Sequence, residues 1–163
     1  MEKETPIKNK QSTELWEDYY KKEWITPKAG IFGAYDIFLC DSIFSKYLLF
    51  NKGNKEDMKI CEIGSGDGKL LKKIADTFNY QPFGIELAQG PVADAQKRGI
   101  TVIQGDAFDA NLLEKHKEQF DVVYSYGFIE HIVPPEKAVQ IHLQLLKKGG
   151  IFFVQIPRFR GFN

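Results

Sequence analysis

The chain has 163 residues, 43% of them apolar, which suits one domain with a buried core. Lysine plus arginine equals aspartate plus glutamate at 22 each, so no net charge draws the protein toward nucleic acid or an anionic membrane. No apolar run approaches the roughly 20 residues that cross a bilayer, and Cys40 and Cys61 lack any metal-ligand spacing, so neither a membrane span nor a metal centre is expected.

The start, Met1-Glu2-Lys3-Glu4-Thr5-Pro6, is charged and lacks the apolar segment of a signal peptide. The expected compartment is therefore the cytoplasm, where both thiols stay free and buried. Residues 1–11 are polar and read as a tail. Ser12 or Thr13 can cap a short helix reaching about Trp24, with Trp16, Tyr19, Tyr20 and Trp24 in one stripe. Pro27 and Gly30 break the chain, and a second helix fits 34–50, with Ile37, Phe38, Asp41, Phe44, Tyr47 and Leu48 near one face. Residues 12–57 thus form an N-terminal helical segment that closes on a polar loop at 51–57.

From Met58 to the end, 58–163, the pattern changes. Strands are predicted over 59–63, 81–86, 100–104, 120–125 and 151–156. Between them the spacing predicts helices over 69–78, 91–98, 111–117 and 134–148, the last stopped by Gly149-Gly150. His116 and His142 fall on helices and read as surface residues, and the pairs Lys72-Lys73, Lys147-Lys148 and Arg158/Arg160 read as solvated. Strand and helix alternate five times, the signature of an α/β protein with a mostly parallel sheet and helices on both faces. Ligands of such sheets bind at the carboxyl ends of the strands, where strand order reverses.

The residues that carry chemistry all lie at strand carboxyl ends. Glu62-Ile63-Gly64-Ser65-Gly66-Asp67-Gly68 is a glycine-rich turn into a helix, whose free N–H groups and positive dipole end suit an anionic group. A plain tight turn is the competing account. Spacing speaks against a dinucleotide: the position for a third glycine, three after the second, is Lys69. Glu86 ends the second strand, where a carboxylate can accept hydrogen bonds from two vicinal ribose hydroxyls. Gly105-Asp106-Ala107-Phe108 follows the third strand; a carboxylate and a backbone N–H there can read an adenine edge, with Leu87 and Phe108 on its faces. The alternative for Asp106 is a turn or cap. The fourth strand delivers Ser125, Tyr126 and Gly127 to the mouth of the same site, with Glu130 and His131 just beyond.

Glu-Ile-Gly-Ser-Gly-Asp-Gly, Gly-Ile-Glu, Gly-Asp-Ala and Phe-Asp-Val-Val-Tyr-Ser, in this order, resemble the class I S-adenosylmethionine-dependent methyltransferases. Leu-Leu-Lys-Lys-Gly-Gly-Ile-Phe-Phe-Val resembles that family's entry into its fifth strand, and the likeness covers about 58–156. The resemblance implies a Rossmann-like three-layer sandwich with about five strands, preceded by N-terminal helices. It implies S-adenosyl-L-methionine as cofactor, its methionine part lined by Gly64, Gly66 and Gly68, with Ser65 and Asp67 in the same loop. Glu62 would support that loop, Glu86 the ribose, Asp106 and Ala107 the adenine, and Ser125 to Gly127 the sulfonium. His131 is the candidate base, and Tyr19, Tyr20 and Glu130 are candidates on the acceptor side.

In the resembled family the sheet continues past strand five, whereas only 158–163 follow here, so 151–156 is expected as an apolar edge, with three explanations: a truncated gene, a second copy that covers the edge, or a partner chain that completes the sheet. The leading expectation is methyl transfer to a small molecule, with no part for nucleic acid or membrane. The alternatives are a cofactor-binding module without catalysis and a nicotinamide-dependent oxidoreductase, against which Lys69 argues.

Overall fold

The computed structural model of the chain describes residues 39–48 and 57–156. The expectations for the tail, for the aromatic stripe with Tyr19 and Tyr20, and for Arg158 and Arg160 lie outside the described residues.

Five strands form one parallel sheet: β1 (Lys59–Ile63), β2 (Gln81–Glu86), β3 (Thr101–Gln104), β4 (Phe120–Tyr126) and β5 (Leu146–Gln155). Their order is β3-β2-β1-β4-β5, so the winding reverses between β1 and β4. A stretch with wide, π-helical turns, Leu39–Phe44, runs into α1 (Ser45–Leu48), where the sequence predicts a regular α-helix. These turns set Phe44 edge-on to Tyr124 and Phe153. The other helices are α2 (Lys69–Phe78), α3 (Gln89–Lys97), α4 (Ala110–Lys115) and α5 (Pro135–Leu145).

Alternation along the strands gives the sheet two apolar faces. Ile60, Val122 and Tyr124 point to the side where Phe44, Leu48, Leu71, Ile74, Phe78 and Ala95 pack. Cys61, Ile63 and Val123 point to the other, against Ile141 and Leu145 of α5. The result is the three-layer α/β sandwich that the pattern predicts. Leu71, Ile74, Ala75 and Phe78 recur at helical spacing and bury one face of α2, and Asn79 ends it in the left-handed region at φ 58°.

Three expectations are corrected in the last third of the chain. The helix predicted to Lys148 stops at Leu145, and the strand begins at Leu146 and runs through Gly149-Gly150. The cause is pairing: Leu146 takes its place opposite Phe120. Lys147, read as solvated, keeps an exposed side chain while it bonds Asp121 at 2.8 and 2.9 Å, and the same carboxylate accepts from the Lys59 N–H at 2.8 Å.

His142 is the third correction. It was expected on the helix surface and is buried, because Ala138, Ile141, His142 and Leu145 occupy the apolar face of α5. Its Nδ1 bonds the Ala138 carbonyl at 2.6 Å, and its ring lies against Phe128 and Phe152. Burial holds its pKa below the ordinary value of 6.5, against the opposing pull of the Ala138 carbonyl. Below pH 6.5 the unfolded chain therefore takes up this proton before the folded one does. Stability is expected to fall as pH drops below 6.5, by up to about 1.4 kcal/mol per pH unit from this group. Thermal melts of wild type and His142→Phe between pH 7 and 5 read the difference, and parallel curves for the two would refute it.

Candidate functional site

The first loop leaves β1 with Gly64, Gly66 and Gly68 all at positive φ. Gly68 precedes α2 at φ 71° and lies so close to Ile100 that a Cβ would sit 2.0 Å from its Cδ1. The N–H groups of Gly64 and Ser65 both donate to the Ile85 carbonyl, at 2.9 and 3.2 Å, which folds the loop back over the end of β2.

Glu86 sits in the crease so formed, buried, with both carboxylate oxygens engaged. Oε2 accepts from the Gly66 N–H and Oε1 from the Ala88 N–H, each at 2.8 Å. Its own carbonyl accepts from the Gly105 N–H at 2.9 Å. One residue thus links the loops after β1, β2 and β3. The fourth loop joins through Phe128: its ring stacks on Phe108 at 6.3 Å and lies 3.2 Å from where a Cβ on Gly64 would be. The four strand-end loops therefore close into one ring of contacts at the carboxyl rim, on either side of the reversal in strand order.

Within this rim, Glu62 is buried and its Oε2 accepts from the Tyr124 hydroxyl at 2.9 Å. Burial pushes its pKa up to about 8; the Tyr124 hydrogen bond opposes this, and the charges of Glu86 and Asp67 add to it. Asp67 is bonded to Lys69 at 2.8 Å and Arg98 at 3.4 Å. Burial alone would raise its pKa, but the Lys69 hydrogen bonds and the Lys69 and Arg98 charges together hold it below the usual carboxylate value.

Ser65 turns inward over Gly84, so in this loop the backbone, not the hydroxyl, faces the rim. Asp106 is exposed and Ala107 buried; one Asp106 oxygen accepts from the Phe108 N–H at 2.9 Å in a local turn. Leu87 is half-buried. Ser125 is buried with no hydrogen-bond partner for Oγ among the described residues, and half-buried Tyr126 leads into Gly127 at φ 66°. Glu130 turns its carboxylate toward Gly127, with Oε2 buried and unpartnered among the described residues, whereas His131 is exposed at the end of the single turn Ile129–His131.

The sequence reading missed Tyr124, Phe128 and Gly84. A signal for Tyr124 existed, since a phenol in an otherwise apolar central strand calls for a partner. The register that supplies one, Glu62 opposite Tyr124, is a product of folding.

A family model described as a methyltransferase domain matches residues 35–160. The chain belongs to the class I S-adenosylmethionine-dependent methyltransferases. A ubiquinone biosynthesis O-methyltransferase of Pseudomonas fluorescens (strain SBW25) is 30% identical over 110 residues, 64% of this chain and 47% of the relative. One of Yersinia pestis (strain Pestoides F) is 27% identical over 117 residues, 69% and 48% of the two chains. This methyltransferase domain thus spans about half the length of the curated relatives it matches.

Among solved structures, the [4+2]-cyclase SpnF superposes with TM-score 0.60 at 23% identity over 75% of this chain and 44% of its own. A methyltransferase of Thiobacillus denitrificans bound to S-adenosyl-L-homocysteine gives 0.50 at 22%, over 61% and 42%. These likenesses establish the fold; reaction type is a property of the site. S-adenosylmethionine is the cofactor of the class to which the domain belongs, and the oxidoreductase alternative falls with the family match. Among the described residues no helix is long and apolar enough to cross a membrane.

Proposed function

We propose that this domain holds S-adenosylmethionine across the four loops and transfers its methyl group to a small-molecule acceptor. The observation that carries the reading is Glu86, which ties three of the four loops together. A carboxylate oxygen has two lone pairs, so Glu86 can keep its backbone bonds and still accept from ribose hydroxyls. Backbone of the glycine loop faces the methionine part, with Glu62 beneath it. Asp106 and Ala107 take the adenine between Leu87 and Phe108. Ser125 to Gly127 border the sulfonium, and the orphaned Ser125 Oγ supplies a polar atom there.

The bound cofactor supplies a methyl group already activated on a positively charged sulfur. What the chain contributes is alignment, worth several kcal/mol in well-oriented reactions. A base is required only where the acceptor must lose a proton. That the relatives are O-methyltransferases supports oxygen as the acceptor atom. Of the two candidates, Glu130 has its carboxylate turned in against Gly127, and His131 stands at the exposed rim.

Calorimetry with S-adenosylmethionine and S-adenosylhomocysteine is expected to show micromolar binding, with labelled methyl passing to members of a small hydroxy-compound panel. No binding of either at millimolar concentration would remove the assignment. Binding without transfer to any acceptor supports the second reading, a binding module.

β5 ends the sheet, and among the described residues no strand pairs along its outer side. We propose that a second chain lies there. Sedimentation is expected to show a dimer or a complex, and a soluble monomer at high concentration would refute it.

A further inference from the structure

Among the described residues two carboxylates are buried, Glu62 and Glu86, and the fold treats them differently. Glu86 accepts two backbone N–H groups, one on each carboxylate oxygen. Glu62 receives the Tyr124 hydroxyl and, among the described residues, no cation: Lys69 and Arg98 pair with Asp67 instead. Three elements bring titrating groups to it, Glu86 from β2, Asp67 from the glycine loop and Tyr124 from β4. The two acids repel a negative charge on Glu62, and the phenol gives it one hydrogen bond. Cys61, its neighbour on β1, lies on the opposite face with its thiol pushed up by burial, and stays neutral.

With no cation beside it among the described residues, Glu62 is therefore a neutral acid at pH 7. S-adenosylmethionine carries one net positive charge from its sulfonium, ammonium and carboxylate; S-adenosylhomocysteine, lacking the sulfonium, carries none. We propose that Glu62 is a specificity-determining residue that senses this charge: it releases its proton to solvent as the cationic cofactor enters and recovers one once the cofactor has become neutral. The proposal rests on the reading that these loops hold the cofactor. It makes the site's preference for methyl donor over demethylated product proton-linked. Product then leaves a site whose acid has returned to its uncharged form.

The test is calorimetry at pH 7 in buffers of widely different ionisation enthalpy. Wild type is expected to release close to one proton per S-adenosylmethionine bound and few with S-adenosylhomocysteine. The affinity ratio of the two ligands is expected to rise roughly tenfold per pH unit between about pH 6 and 8, as for one linked proton. Glu62→Gln keeps an acceptor for Tyr124 and is expected to bind both ligands with no such release and a pH-independent ratio. Binding by wild type with no proton release, or release undiminished in Glu62→Gln, would overturn the proposal. Failure of wild type to bind either ligand would overturn the reading of the site instead. If Glu62→Gln does not fold, carboxyl NMR of wild type labelled at glutamate serves. One glutamate signal should move to its ionised position on adding S-adenosylmethionine and stay put with S-adenosylhomocysteine, and no movement in either case refutes the idea.

Discussion

Glu86→Ala is expected to weaken S-adenosylmethionine binding by about 100-fold or more while leaving the domain folded. The substitution removes the acceptor for the Gly66 and Ala88 N–H groups together with the proposed partner of the ribose. Hydrogen bonds to a charged acceptor contribute roughly 1.5–3 kcal/mol each, and 100-fold corresponds to about 2.7 kcal/mol. The half-buried Gly66 N–H can turn to water in the variant, whereas Ala88 is fully buried and its N–H loses its partner, so a loss of stability of about 1–3 kcal/mol accompanies the loss of affinity. Glu86→Gln separates the contributions, since an amide offers one acceptor oxygen where the carboxylate offers two. It is expected to fall between, at roughly tenfold. Calorimetry on the three proteins reads the series, and Glu86→Ala binding within threefold of wild type would refute the role of this residue.

Gly84→Val is expected to be the most damaging change that touches neither cofactor nor acceptor. Gly84 lies mid-strand in β2, between Glu62 of β1 and Val102 of β3, with both neighbours fixed by the ladder. Ser65 folds over it so closely that a Cβ would stand 2.3 Å from Ser65 Oγ and 2.8 Å from Ser65 Cβ. A side chain there must lift the glycine loop away from β2, breaking the bonds from Gly64 and Ser65 to the Ile85 carbonyl. Overpacking of this kind costs about 1–3 kcal/mol, with lost hydrogen bonds on top. A fall in melting temperature of roughly 5–10 °C is expected, with loss of cofactor binding. Because the clash is with Ser65, Gly84→Ala combined with Ser65→Gly is expected to recover more than Gly84→Ala alone, a coupling that a double-mutant cycle measures. Additive losses would show that the two residues do not share the contact.

The helix boundaries illustrate how far local pattern reaches. The predicted 69–78 coincides with α2, because its apolar spacing and flanking Gly68 and Asn79 are properties of the segment alone. The predicted 134–148 overshoots, because the residues after Leu145 have good helix propensity but a better alternative as a strand beside β4. His142 shows the same limit. One histidine on an apolar helical stripe is legible as buried from its spacing with Ala138, Ile141 and Leu145, and polarity alone misleads.

The order of elements, the parallel sheet and the four strand-end motifs were fixed by the chain's own periodicity and glycine placement, since these depend on neighbours within a few residues. Which of the acids would be clamped and which kept neutral depended on the tertiary structure. Glu62 meets Tyr124 across 62 positions, and Glu86 meets Gly66 across 20, only after β1, β2 and β4 have paired. Desolvation and Coulomb repulsion act through space, so the electrostatic character of this site exists only in the folded sheet.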